Sequence, residues 1–154
     1  MKPLLTTILS LLLAGVFGLT GCGNTSKMLA TGLEVEVTSV ERETDGSVAV
    51  AWQFRNTNIV PYMFSQLTHK IQLNGVVLGT ISEKEALALP ANSHAGRTSK
   101  IANVDANASR VLTEAVAAGS ANYRIDSQLT VLIYDDNDEK SVLGNTGTVK
   151  VTAK

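Results

Sequence analysis

Hydrophobic and polar positions fall into two regimes along this chain. Leu4 to Leu13 is an apolar run broken only by Thr6, Thr7 and Ser10, and it extends through Ala14–Leu19 to Thr20-Gly21-Cys22. From Leu33 the pattern becomes period two: Leu33, Val35 and Val37 alternate with Glu34, Glu36 and Thr38, the spacing of a half-buried strand. After the turn signal Asp45-Gly46, Val48, Val50, Trp52 and Phe54 share one face of a second strand, opposite Ala49, Ala51, Gln53 and Arg55. Asn56–Pro61 (NTNIVP) interrupts it. Pro61 has no amide proton and a fixed φ, which suits a loop or a strand edge.

A long third strand follows, with Met63, Leu67, Ile71 and Leu73 on one side and Gln66, Thr68, Lys70 and Gln72 on the other. Asn74-Gly75 turns it into a return strand, Val76–Ile81, because both residues tolerate the positive φ of a tight hairpin. Weaker alternation predicts a strand over Arg97–Val104. Ala108, Val111, Leu112, Ala115 and Val116 recur at helical spacing before Gly119, with Asp105 or Asn107 as the cap. Two last strands, near Tyr123–Tyr134 and Ser141–Thr152, flank the acidic segment Asp135–Glu139, and Gly144–Gly147 reads as a turn. The set predicts a mainly β chain, an immunoglobulin- or fibronectin-like β-sandwich with one short helix.

The first apolar run belongs to a different kind of segment. Lys2, the short apolar stretch and the small residues after it form a secretory signal, too short and too punctuated for a spanning helix. Leu19-Thr20-Gly21-Cys22 resembles the bacterial lipobox, in which a peptidase cuts before a cysteine that carries diacylglyceryl on sulfur. The chain then divides into a signal peptide at 1–21, a lipidated cysteine and tether at 22–32, and a domain at 33–154. Two or more acyl chains hold a membrane stably where one does not. Gly23, in the place where aspartate marks inner-membrane retention, points to the outer membrane and its periplasmic face. A tether of this composition spans roughly 17–19 Å as a coil, so the domain stays near the bilayer.

Removal of 21 of the 154 residues leaves 133, enough for one domain with a substantial core. The mature charge is near neutral, which gives no basic footprint for nucleic acid. Cys22 is the only cysteine; once lipidated it leaves no thiol for a disulfide, a zinc thiolate or a cysteine nucleophile. His69 shares the parity of Leu67 and Ile71 and reads as a neutral core ring satisfied by one or two hydrogen bonds, while His94 falls in a polar loop. No second ligand stands at metal spacing from either, and no Gly-x-Ser-x-Gly elbow is present. Asp135–Glu139 lacks the residue order of a calcium loop and reads as a solvated hairpin turn. Trp52 and Phe54 read as core. The expectation is no catalytic residue, no metal and no cofactor.

FRNTNIVPYMFSQLTHKIQLNGVVLGT (Phe54–Thr80) resembles the signature of late embryogenesis abundant type 2 proteins, the water-stress and hypersensitive-response (WHy) domain family. Leu89–Ser93 (LPANS), Tyr123–Val131 (YRIDSQLTV) and Gly147-Thr148-Val149 follow in the family's order, so the likeness spans Leu33 to Thr152. Thr57 stands where the family usually has proline and Ser127 where glycine is common, which marks a divergent relative. The signature carries onto Asn56, Asn58 and Pro61, with Asn74 and Gly75 closing its strand. We read these as turn-builders before ligand-binders, since asparagine bonds nearby backbone and tolerates left-handed φ. The resemblance implies the sandwich, no catalysis and a link to desiccation or other stress. It leads to the expectation of a lipoprotein that protects unfolding client proteins. The alternatives are an adaptor that positions one envelope protein or lipid-trafficking partner, and a small-ligand carrier.

Overall fold

The computed structural model describes residues 31–133 and 137–154, with only the main chain at 133, 137 and 138. The signal segment, Cys22, nearly all of the tether and the start of the acidic segment, Asp135 and Asp136, lie outside the described residues.

The alternation predicted from Leu33 forms strand β1 (Leu33–Arg42), paired antiparallel with β2 (Val48–Asn56), with Val35 opposite Phe54 and Val37 opposite Trp52. A bulge between Val37 and Ser39 resets the parity, so Val40 also points inward. The turn between these strands is held by Asp45, whose carboxylate accepts from the Ser47 main chain at 3.0 Å and from Lys100 at 2.7 Å.

Strand β3 (Tyr62–Leu73) and strand β4 (Val76–Glu83) form the hairpin read from Asn74-Gly75. Both turn residues have positive φ, 47° and 82°, the requirement of a tight primed turn. Phe64, Leu67, His69, Ile71 and Leu73 face the core. Met63 was expected among them and is instead 46% exposed. A bulge between Phe64 and Gln66 shifts the register by one residue and turns Met63 to the outer face.

Strand β5 (Leu87–Leu89) extends the β3 edge, and strand β6 (Ser93–Ile101) pairs with β2, beginning earlier and ending sooner than the Arg97–Val104 pattern. Helix α1 (Ala106–Ala118) is capped by Asp105, which accepts from Ala108 N at 2.8 Å, and ends at Gly119 in left-handed geometry, φ 75°. Strands β7 (Ser120–Ile133) and β8 (Asn137–Ala153) form the longest ladder. Gly144–Gly147, read as a turn from sequence, lies inside β8. The Tyr123 ring covers Gly147 so closely that a Cβ there would meet Cε1 at 2.9 Å, and the strand continues through it.

Among the described residues the fold is mainly β with one short helix, as expected. Its strands join as one eight-stranded sheet in the order β4-β3-β7-β8-β1-β2-β6, with β5 beside β3. The join arises because the 17 residues of β8 pair first with β7 and then, parallel, with β1 from Lys150 to Ala153. The sheet curls until its two ends meet. Ile101 of β6 lies against Gly79 of β4, and Arg97 donates to the Ala86 carbonyl at 2.9 Å and pairs with Glu83 at 3.6 Å and Glu85 at 3.2 Å. The core fills the concave face around Trp52, Phe54, Phe64, Leu67, Ile71 and Ile125.

Candidate functional site at the lead-in pole

The three signature positions of the Asn56–Pro61 loop lie at one end of the sheet, where Leu33 begins β1, β2 ends and β3 starts. Asn56 is 1% exposed. Its amide donates to the Val60 carbonyl at 2.8 Å and the Pro90 carbonyl at 3.0 Å, and its Oδ1 accepts from Asn58 N at 2.9 Å. Three bonds from one buried side chain thus shape the loop and tie it to the β5–β6 connection. A buried amide with its partners in place stabilises, and one left without them costs several times more.

Asn58 looks the other way. Its amide donates to the Thr31 carbonyl at 2.7 Å and to Tyr62 Oη at 3.1 Å. Thr57 donates to the Gly32 carbonyl twice, from its main chain at 2.8 Å and its hydroxyl at 3.0 Å. The loop therefore grips the lead-in to the domain. Asn92, at positive φ of 49°, donates its main chain to the Asn58 carbonyl at 3.0 Å. Sequence reading missed Asn92, Pro90 and the Thr31–Gly32 contact, because each lies far along the chain from the loop it completes.

Asn74 and Gly75 do not join this cluster. They sit at the opposite pole, at the far end of β3, where Asn74 exchanges bonds with Asn122 at 2.8 and 3.0 Å.

The lead-in pole carries two shallow clefts of opposite character. One, of about 290 Å³, is polar and lined by Gln53, Arg55, Asn56, Thr57, Asn92 and His94. The other, of about 320 Å³, is lined by Pro61, Tyr62, Met63, Leu89, Pro90 and Leu132. Beside it Ile59 is 85% exposed and Val60 55% exposed. The apolar pair standing between Asn58 and Pro61 was the sequence signal for this surface.

His69 occupies the centre of the core. Its ring lies 4.2 Å from Trp52 and 5.7 Å from Phe54 between centroids, and Nδ1 meets Ser127 Oγ at 2.7 Å. Nε2 is buried without a partner. Burial pushes the ring down from 6.5 to about 4, because the charged form cannot be solvated there. The His69–Ser127 pair has the atoms of a base and a hydroxyl nucleophile, but both residues are fully buried, so no substrate reaches them in this structure. Ser127 instead supplies the one hydrogen bond that this core histidine's ring makes. Trp52 Nε1 donates to Ser99 at 3.1 Å, and Ser99 donates in turn to Glu83. Among the described residues no three His, Cys, Asp or Glu side chains converge as a metal site. No helix among them is long and apolar enough to cross a membrane.

No family model and no curated protein matches the chain. Solved structures do. The solution structure of At2g46140.1, described as a candidate late embryogenesis abundant (LEA) protein, aligns with a TM-score of 0.50 at 13% identity, over 96% of this chain and 85% of that one. The solution structure of AT1g01470 from Arabidopsis thaliana gives 0.49 at 14%, over 79% and 80%. A crystal structure of a protein from Archaeoglobus fulgidus gives 0.45 at 18%, over 77% and 94%. The strands follow an LEA-type fold. At such identity a likeness speaks to the fold and leaves function to be argued from the site.

Proposed function

We propose that the mature chain is a non-enzymatic lipoprotein, anchored through Cys22 to the periplasmic face of a bacterial outer membrane, which protects envelope proteins during desiccation or related stress. On this reading the curled sheet is an immunoglobulin-like sandwich whose two halves share β8. The observation that carries the proposal is the fold likeness to a structure described as late embryogenesis abundant, in a chain whose first 22 residues read as a lipoprotein signal. The signature asparagines spend their hydrogen bonds on the fold, which supports a role without catalysis.

A surface for weak client contact lies along β8. Between Val142 and Val149 this strand is laddered on its β7 side only, among the described residues, until Lys150 meets Ser39 of β1. Asn145 reaches across the opening to the Val35 carbonyl at 2.8 Å. Such an edge offers main-chain donors and acceptors to an extended segment of an unfolding protein. The test is a reporter enzyme dried with vesicles that carry the full lipidated chain. Activity retained above that with an unrelated lipoprotein of equal mass supports protection, and equal activity overturns it. The same edge suits one dedicated strand, so recovery of a single stoichiometric partner from detergent extract would turn the assignment to an adaptor.

A further inference from the structure

We infer that the lead-in pole is the face of the domain that meets lipid, with Ile59 and Val60 entering the interfacial layer of the bilayer. The inference rests on the lipid anchor proposed above and adds an orientation to it. Eight residues lie between Cys22 and Thr31, and the nine steps from one to the other reach at most about 32 Å fully extended. Thr31 and Gly32 are bonded to Asn58 and Thr57, so the chain leaves the domain at this loop. The opposite pole, with the Glu43–Ser47 turn, lies the length of β1 further off, about 30 Å. An anchor at Cys22 therefore holds the Asn56–Pro61 loop within reach of the membrane, and the side chains at this pole decide that it is the face turned to lipid.

The side chains at this pole have the chemistry that such a position needs. Scattered exposed apolar residues are ordinary, and a cluster of them marks a contact surface. Ile59 and Val60 project from a loop that Asn56 holds in shape, so their exposure is built in. Pro61, Met63 and Leu132 surround the apolar cleft beside them, with Leu132 following Val131, the cross-strand partner of Phe64. Tyr62, held by Asn58 through its hydroxyl, joins an apolar ring to a polar tip, as interfacial aromatic residues do.

Charge selects the kind of surface. At this pole Arg55 is paired with Glu34 at 3.4 Å. The connection from β7 to β8 leaves and returns here, and its sequence carries Asp135 and Asp136. Among the described residues no basic cluster stands at this pole to draw it to anionic headgroups. The matching partner is a zwitterionic lipid surface met through apolar contact, with little dependence on salt.

The unusual cysteine content makes a direct test practical. In the lipidated chain Cys22 is a thioether, so Ile59→Cys introduces the only free thiol; Thr44→Cys, on the turn at the far pole, is the control. Each full-length lipidated variant is labelled with an environment-sensitive fluorophore and reconstituted in phosphatidylcholine vesicles containing nitroxide-labelled lipid. Mass spectrometry reports the lipid on Cys22, flotation reports anchoring, and circular dichroism reports folding. The expected result is severalfold stronger quenching and a blue-shifted emission at position 59 relative to 44, unchanged in high salt. A chain that floats and folds but is quenched equally at both positions overturns the orientation and leaves the anchor standing. A chain without lipid on Cys22 overturns the anchor, and the orientation with it. Quenching at 59 that appears only with anionic lipid and disappears in salt overturns the apolar contact.

Discussion

Acidification should destabilise this domain through one residue, His69. Its ring is fully buried between Trp52 and Phe54, its single polar contact is Ser127, and its Nε2 has no partner. No carboxylate bonds the ring to stabilise its charged form, and burial lowers it from 6.5 to about 4. Above pH 6.5 the ring is neutral in both the folded and the unfolded chain and contributes no pH dependence. Between 6.5 and about 4 the unfolded chain takes up a proton that the folded chain refuses, so stability falls as pH falls. At about 1.4 kcal/mol per pH unit the loss reaches about 2 kcal/mol by pH 5 and about 3 kcal/mol near pH 4. Surface carboxylates titrate over part of the same range, so the measurement is a difference. Urea unfolding is followed at pH 7 and pH 5 for the natural chain and for His69→Phe/Ser127→Ala. The double change removes both partners of the hydrogen bond and leaves neither buried alone. The natural chain should lose about 2 kcal/mol more than the variant over that interval. Equal losses would show that His69 either titrates near its ordinary value when folded or does not titrate in either state, and the core assignment of its chemistry would be wrong.

Other substitutions test the pole and the curl. Asn56→Ala removes three hydrogen bonds and leaves the Val60 and Pro90 carbonyls without this donor; it should cost about 2–4 kcal/mol in thermal or urea unfolding, and a loss under about 1 kcal/mol would contradict the cradle. Gly96→Ala would put a Cβ 2.0 Å from the Trp52 carbonyl oxygen, on backbone that cannot yield, and should lower stability by about 2 kcal/mol or more; a melting temperature within a degree of the natural chain's would mean β6 has room to move. Thr57→Pro installs the residue the resemblance calls usual and deletes both bonds to the Gly32 carbonyl. It should speed amide exchange at the start of β1 while leaving the Trp52 region protected, and unchanged exchange at Leu33 would show that the loop does not hold the lead-in.

The sequence made half of this arrangement readable. Alternation located β1 and β2 because each has one buried face, and helical spacing with Asp105 and Gly119 at its ends located α1. Parity failed where a bulge inserted a residue: Met63 and Leu67 share odd numbering, yet the bulge after Phe64 puts them on opposite faces. Three residues of β5 are too few to show a period. Gly144 and Gly147 mimic a turn in sequence, because the Tyr123 ring that covers Gly147 lies in another strand. At the site, the signature pointed to Asn56 and Asn58, and residue type alone suggested that they bond nearby backbone. Their partners at Pro90 and Thr31 were not, because contacts 34 and 27 residues apart leave no local pattern.

Thr57 connects the signature loop to the start of the chain. A proline there, as the resemblance leads one to expect, has no amide proton to donate, and it has no hydroxyl either. With threonine, both groups converge on the Gly32 carbonyl while Asn58 takes the carbonyl of Thr31 next to it. The departure from the family pattern therefore adds a hold on the segment that leads in from Cys22. Fastening the end of a flexible tether to this loop fixes where the chain leaves the domain, beside Ile59 and Val60, whereas a frayed strand end would lengthen the coil and loosen that proximity. With Ile59 and Val60 beside that exit and in contact with lipid, the β8 edge runs away from the bilayer and stays open to proteins in the space beyond.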